Sequence, residues 1–105
     1  MPDFPSFLRG LPPVDVGIPG VAAHALRGPV LCVLFEFNEQ VHVPEHAHGA
    51  QFGYVLAGGL RVRRGERTDA FRAGDAYLVA AGEPHEAWVE QGSRLIEFFE
   101  DADRY

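Results

Sequence analysis

Three of the five histidines in this 105-residue sequence stand in two short segments whose spacing suits metal binding. His46 and His48 lie two residues apart in PEHAHGAQ, and His85 follows in GEPHEAW. Residues two apart in an extended strand project from the same face, so both imidazoles can reach one ion at the roughly 2.0 to 2.1 Å of metal–nitrogen bonds. We therefore predict that these three histidines bind one metal ion.

Gln51 is the predicted fourth ligand, through its side-chain oxygen. It breaks strand parity with His48, but Gly49 and Ala50 supply a flexible point where a turn or bulge restores the phase. Three neutral imidazoles and one amide leave the charge of the ion uncompensated, which favours an anionic or enolate-like ligand. The ligand set suits one divalent transition metal (iron, nickel, manganese, zinc or copper), and the sequence does not choose among them.

The remaining two histidines, His24 and His42, have no partner at ligand spacing. A histidine alone in a strand is more often hydrogen-bonded or exposed than a ligand. We interpret both as non-ligands, although His42 has the same parity as His46 and His48.

Composition excludes several classes of partner. With nine Lys and Arg against fifteen Asp and Glu, the net charge is −6, which repels phosphate backbones and anionic lipid surfaces. We predict no nucleic acid or membrane partner, and no signal-like apolar run begins the chain, so we expect a cytoplasmic protein. Cys32, the one cysteine, is predicted to be an inert buried thiol.

The pattern along the chain predicts an all-β protein in one domain, 1–105. Residues 1–20 hold five of the eight prolines, so we expect an irregular arm there and a barrel over 21–105. Short β-like runs alternate with turn residues at 21–26, 30–37, 51–57, 60–64, 69–72, 76–80, 86–90 and 94–100. Such runs predict an antiparallel sandwich or small closed barrel. The run 30–37 is apolar on both faces, so a second layer, either the arm or a dimer partner, is expected over it.

The segment PEHAHGAQFGYVLAGGLRV, followed by GDAYLVAAGEPHEAW, resembles the two sequence motifs of the cupins. The positions that carry the resemblance are His46, His48, Gln51 and Gly58 in the first motif and Gly74, Gly82 and His85 in the second. Gln51 stands where Glu is commoner, and Ala81 where Pro is frequent. The resemblance implies a jelly-roll barrel (an antiparallel double-stranded β-helix) of six to eight strands with His46, His48, Gln51 and His85 as metal ligands.

Strand parity makes further predictions around this site. If Gln51 points inward, Gly53 and Val55 share its face, and the alternate residues face a second apolar layer: Phe52, Tyr54 and Leu56. Glu97 is the odd acid in the last apolar run, and it lies either on a wet face or near the metal for proton transfer. Two aromatic residues either line the pocket or pack as ordinary core or interface residues: Tyr77 and Trp88.

Small cupins with this pattern and an acid on the last strand resemble the enzymes that open ring-form unsaturated uronates into keto sugars. The resemblance implies a Lewis-acid metal, Glu97 as the acid or base, and Arg104 as a candidate for binding the substrate carboxylate. We therefore predict a metal-dependent enzyme that isomerises a small anionic substrate, either carbohydrate-derived or keto-acid-like. A metal-dependent dioxygenase and a non-catalytic ligand-binding or sensor module are the alternatives. A homodimer is expected because the arm and the doubly apolar strand offer more hydrophobic surface than a small barrel covers.

Overall fold

Nine antiparallel strands make up most of the computed structural model, which describes residues 2–105. They are β1 (Val21–Arg27), β2 (Leu31–Phe37), β3 (Val41–His46), β4 (Gln51–Ala57), β5 (Gly59–Arg64), β6 (Arg67–Arg72), β7 (Ala76–Val79), β8 (His85–Val89) and β9 (Arg94–Phe99). One sheet has the order β1-β2-β9-β4-β7, and the other has the order β3-β8-β5-β6. The all-β jelly-roll prediction is confirmed, with nine strands instead of the six to eight expected.

The additional strand is β3, which the sequence pattern did not predict. It contains Pro44, which has no N–H to donate, and its exposed residues include His42 and Glu45, so it lacks a regular apolar alternation. It nevertheless pairs with β8, and its register shifts between Val43 and His46. A proline at a bulge is compatible with pairing because the ladder is interrupted there.

The two sheets bury their facing residues in one core. Strand β5 shows the predicted alternation, because Leu60 and Val62 are buried while Arg61 is exposed. Val33 and Val55 are fully buried on the opposite sheet. Each such aliphatic side chain contributes roughly 1.5–3 kcal/mol when fully buried, so the core stabilises the packing of one sheet on the other.

The chain crosses from one sheet to the other at Gly58, between β4 and β5. Gly58 has a φ of 77°, and a Cβ there would lie 2.3 Å from the Oγ of Ser93. The fully buried Ser93 hydroxyl accepts a hydrogen bond from the N–H of Gly59 (3.0 Å) and lies 3.1 Å from the Gly59 carbonyl oxygen. A side chain at residue 58 would displace this corner.

The N-terminal arm contacts the outer side of β2 and β9 through residues 3–9, and it pairs with the edge of β1 through residues 12–14. It includes the single-turn helix α1 (Ser6–Arg9). Arg9 pairs with Glu36 at 3.0 Å, and Arg94 pairs with Asp3 at 2.8 Å and holds the pKa of Asp3 at about 2. With four residues, α1 is the one helix found within residues 2–105, and it is too short to span a bilayer.

The outer face of the five-stranded sheet carries side chains that residues 2–105 leave largely uncovered. Cross-strand pairing aligns them in one line, called here the apolar row: Leu26, Cys32, Phe98, Phe52 and Leu78. Phe52 is 47% exposed and Leu78 is 59% exposed. The predicted second layer is therefore absent over Phe52 and Tyr54 in residues 2–105, because the arm covers a different part of this face. Cys32 is half-buried here instead of lying in the core, and desolvation raises the pKa of its thiol.

Candidate metal centre

Three imidazoles meet inside the barrel, from the end of β3, the segment after it and the start of β8. The ring centroids of His46 and His48 are 5.1 Å apart, and that of His85 is 4.3 Å from His46 and 4.9 Å from His48. One potential ligand atom from each lies within 4.8 Å of those of the other two. Three ring nitrogens at this spacing can bind one metal ion.

The bulge in β3 directs His46 into the barrel. Val43 pairs with Ala87 and His46 pairs with His85, so two residues of β3 lie opposite the single residue Glu86 of β8. One extra residue inverts the strand parity. Val43 and His46 consequently both line the cavity, although their spacing in a regular strand would place them on opposite faces.

The same inversion of strand parity places His42 on the outer face of the barrel. Its Nε2 is 2.5 Å from the carboxylate of Glu86, and its ring stacks on Trp88 with centroids 5.3 Å apart. The structure thus places His42 away from the three-histidine cluster despite its sequence parity. Trp88 lies on this outer face, so it does not line the pocket.

Hydrogen bonds fix the tautomer of all three clustered histidines. In each ring Nδ1 faces a backbone carbonyl oxygen at 2.7 to 2.9 Å. Those carbonyls belong to Pro44 for His46, Gly49 for His48 and Glu83 for His85. A carbonyl only accepts, so Nδ1 carries the hydrogen and Nε2 keeps a free lone pair, as metal-binding histidines require. Desolvation lowers the pKa of His48 and His85, which favours the neutral rings.

Gln51 lines the same cavity from the first position of β4 and is 8% exposed. Its Nε2 donates a hydrogen bond to the carboxylate of Glu97, and its Oε1 is buried without a hydrogen-bond partner in residues 2–105. A buried acceptor left unsatisfied costs about 1–3 kcal/mol. An electropositive group at this point would remove that cost, so the donor set of three imidazoles and one amide oxygen fits a metal ion.

Glu97 faces the interior from β9 and is 6% exposed. Sequence alone left its orientation open. Its two carboxylate oxygens accept hydrogen bonds from the Tyr77 hydroxyl and from the Gln51 amide. Desolvation raises the pKa of Glu97 from 4.5 to about 7, although both donors act against this shift. A carboxyl group with such a pKa can take up and release a proton near neutral pH.

The cavity around these groups has mostly apolar walls. The space among these groups amounts to about 620 Å³, part of which is open solvent. Its apolar lining includes Phe35, Val43, Leu60, Val62, Leu95 and Phe99. Such walls lower the local dielectric and strengthen the interactions of the few polar groups inside.

The C-terminal segment adds a cation and an aromatic ring beside the cavity. Arg27 donates hydrogen bonds to the carbonyl oxygens of Ala102 (3.1 Å) and Tyr105 (2.6 Å), which holds this segment against the barrel. Tyr105 lines the cavity, and its ring centroid is 5.5 Å from that of Phe99. Sequence reasoning did not identify Tyr105, since no strand or motif places it there.

Arg104 lies over the ring of Tyr105, 4.4 Å from its centroid. Its Nε is buried without a hydrogen-bond partner, and none of the ion pairs within residues 2–105 includes it. Its positive charge contributes to lowering the pKa values of His48 and His85, so it lies close to the cluster. Arg104 is therefore a cation beside the cavity that no carboxylate within residues 2–105 pairs with directly, although its charge also lowers the pKa of Glu97.

Comparison with known families agrees with this geometry. The cupin domain family matches residues 33–96, which is more than half of the chain. The matched segment contains strands β3 to β8 and part of β2 and of β9. The chain is a cupin. Among curated proteins, none matches this sequence.

Solved structures extend the likeness beyond the matched segment. KdgF from Halomonas sp. is 25% identical with a TM-score of 0.72, covering 83% of this cupin and 84% of that chain. An RmlC-like cupin from Shewanella frigidimarina is 25% identical with a TM-score of 0.76, covering 91% and 88% of the two chains. Salicylate 1,2-dioxygenase from Pseudoaminobacter salicylatoxidans is 18% identical with a TM-score of 0.71, covering 85% of this cupin and 27% of the enzyme, and it shares the fold alone.

Proposed function

We propose that this cupin is a metal-dependent enzyme that moves a proton on a small anionic substrate, carbohydrate-derived or keto-acid-like. The observation that carries the proposal is the position of Glu97 in the same cavity as the three-histidine cluster, one hydrogen bond from Gln51. A proton carrier with a pKa of about 7 beside a site for a cation combines the two elements of metal-assisted proton transfer.

Each residue has a distinct role in this proposal. His46, His48, His85 and Gln51 would bind the divalent transition metal, which when bound polarises a carbonyl or hydroxyl oxygen of the substrate. Glu97 would take a proton from one substrate atom and return it to another, which produces an isomer without a net change in atoms or electrons. The apolar walls would limit the access of water to these groups.

Arg104 is proposed to bind the substrate carboxylate. Its guanidinium is available because no acidic residue within 2–105 pairs with it. The likeness to KdgF and the resemblance of the motifs to uronate-opening cupins support an unsaturated uronate as the first substrate to test.

Turnover of an unsaturated uronate by the metal-loaded protein tests the proposal directly. Protein purified without an affinity tag would be loaded separately with Fe²⁺, Ni²⁺, Mn²⁺, Zn²⁺ and Cu²⁺. Loss of the ring form and appearance of the open keto sugar, followed by NMR, is the expected result. Uptake of oxygen with an aromatic or keto-acid substrate would identify a dioxygenase instead, and metal binding without turnover would identify a non-catalytic binding module.

Replacing Arg104 with glutamine is expected to raise KM by roughly 10-fold or more and to leave kcat nearly unchanged. A hydrogen bond to a charged group is worth about 1.5–3 kcal/mol, and an interaction made equally in ground and transition states appears in KM. Steady-state kinetics measure both parameters. Arg67→Gln is the matched control, because Arg67 is exposed on β6 and, among residues 2–105, pairs only with Asp69. Equal KM values for the two variants would contradict this role.

A homodimer is proposed to form through the apolar row. The part of this outer face that the arm leaves open carries no Asp, Glu, Lys or Arg among its strand residues, since Glu36 and Arg94 are held by the arm. Patches of this kind are typical of interfaces, and a twofold axis places the same patch on both copies. A second copy is therefore the occupant that we expect.

Replacing Phe98 with glutamate is expected to convert the dimer into a monomer. The change would place a buried, unpaired charge from each copy at the centre of the interface, which costs several kcal/mol. Sedimentation velocity measures the oligomeric state. Thr68→Glu adds the same charge to the exposed outer face of the other sheet and should leave the dimer intact. A monomeric wild-type protein would contradict the proposed interface.

A further inference from the structure

Tyr77, Gly53 and Glu97 stand side by side on three neighbouring strands. Gly53 of β4 pairs with Tyr77 of β7 on one side and with Glu97 of β9 on the other. All three are buried and belong to the inward-facing set of their strands. Tyr77 and Glu97 are thus separated by a complete strand, and their side chains can meet only across residue 53.

Because it has no side chain, Gly53 allows the side chains of Tyr77 and Glu97 to approach each other. A Cβ on residue 53 would lie 2.2 Å from Cζ and 2.5 Å from the hydroxyl oxygen of Tyr77, well inside contact distance. The tyrosine ring therefore lies directly over the glycine backbone, and its hydroxyl reaches the carboxylate of Glu97. A larger residue at position 53 would occupy the space that the ring needs.

Two hydrogen bonds converge on the carboxylate of Glu97. The Tyr77 hydroxyl donates to Oε1 of Glu97, and Oε2 of Glu97 accepts from Nε2 of Gln51. A side-chain amide has its donor and its acceptor on opposite sides, so fixing the NH₂ group on Glu97 turns Oε1 of Gln51 away from Glu97. This oxygen is the buried acceptor that has no partner within residues 2–105.

We propose that Tyr77 and Gly53 are positioning residues for the metal site: Tyr77 holds Glu97, and Glu97 orients the Gln51 amide with its oxygen toward the three-histidine cluster. The inference rests on the proposed function, since it explains how Gln51, one of the proposed metal ligands, is oriented. Partners of metal ligands commonly fix their orientation in this way. Packing alone does not require the Tyr77 hydroxyl, because the ring already packs against Phe71 with centroids 5.0 Å apart.

Metal affinity in Tyr77→Phe tests the inference without reference to turnover. Zinc binding would be measured by competition with a chelator, and the visible absorption of the Co²⁺-loaded protein would report the ligand set. We expect a loss of affinity of about 10-fold and an altered Co²⁺ spectrum. This is the lower end of the range for direct partners of metal ligands, because Tyr77 acts on Gln51 only through Glu97. Gly53→Ala should reproduce both changes by displacing the tyrosine ring.

Phe71→Leu is the matched control, because it weakens the packing of the Tyr77 ring but keeps the hydroxyl. It should lower the melting temperature and leave the zinc affinity and the Co²⁺ spectrum of the folded protein as in wild type. Wild-type affinity and spectrum in Tyr77→Phe would overturn the inference while the proposed metal site stands. A wild-type protein that binds neither Zn²⁺ nor Co²⁺ would overturn both.

One measurement does not depend on the folding of any variant. In the wild-type protein, the side-chain NH₂ protons of Gln51 should exchange slowly with solvent, because they are buried and hydrogen-bonded to Glu97. Hydrogen exchange followed by NMR measures this rate. Exchange as fast as for the exposed Gln40 amide would overturn the proposed orientation.

Discussion

Replacing His48 with alanine is expected to reduce the metal content from about one ion per chain to nearly none. The variant keeps two imidazoles and the Gln51 oxygen, and loss of a direct ligand should exceed the roughly 10- to 100-fold loss caused by removing a partner of a ligand. Elemental analysis of protein purified without an affinity tag measures the content. The identity of the wild-type metal would also separate redox chemistry from Lewis-acid chemistry.

His42→Ala is the matched control for this experiment. His42 lies only four residues before His46 but faces Glu86 and Trp88 on the outside of the barrel, so its removal should leave the metal content unchanged. Gln51→Ala should give an intermediate loss, because an amide oxygen is a weaker ligand than imidazole for most of these metals. Equal metal contents in His48→Ala and His42→Ala would contradict the assignment of the site.

Replacing Glu97 with glutamine is expected to have an effect on stability that depends on pH. In the metal-free protein, the unfolding free energy of Glu97→Gln minus that of wild type should increase as the pH rises. Between pH 4.5 and about 7 the folded protein holds a proton on Glu97 that the unfolded chain has released, so wild-type stability falls with pH over this interval. At about 1.4 kcal/mol per pH unit, the difference between Glu97→Gln and wild type should grow by about 3 kcal/mol from pH 4 to pH 8.

Urea unfolding at several pH values, in the presence of a chelator, measures this difference. His48 and His85 act in the opposite sense, since their lowered pKa values cost stability as the pH falls, but they contribute equally to both proteins and cancel. Because Glu97 is buried, added salt should leave the trend nearly unchanged. A difference in unfolding free energy that is constant from pH 4 to pH 8 would show that folding does not raise the pKa of Glu97.

The sequence determined the fold class and the composition of the candidate site. Turn residues between short apolar runs predicted the antiparallel strands, and the spacing of His46 and His48, with His85 in a second motif, predicted which imidazoles would come together. The three imidazoles do meet, although His48 lies after the end of β3 and not in one strand with His46 as the spacing argument assumed. The alternation of buried and exposed residues in β5 and the irregular N-terminal arm were also predicted from the sequence.

The expectation that residues an even number of positions apart share one face does not hold where the backbone departs from a regular strand. The bulge in β3 places His42 outside and His46 inside, although the two residues have the same parity. A bulge depends on the pairing with β8, and a single strand read by itself does not show which residue its neighbour faces. Strand β3 itself was not predicted for a different reason, because Pro44 and its exposed neighbours interrupt the apolar alternation.

The arrangement of the side chains inside the barrel depends on tertiary contacts that the sequence does not show. The inward position of Glu97, the hydroxyl of Tyr77 above Gly53 and the unpaired oxygen of Gln51 depend on which strands are neighbours and in which register. Pairings between residues 20 to 46 positions apart in the chain leave no local pattern in the sequence. Whether the apolar row is covered was also undetermined, because the hydrophobicity of a strand face does not state what packs against it. The residue types therefore specify what this cupin can bind, and the strand register specifies how its groups are oriented to bind it.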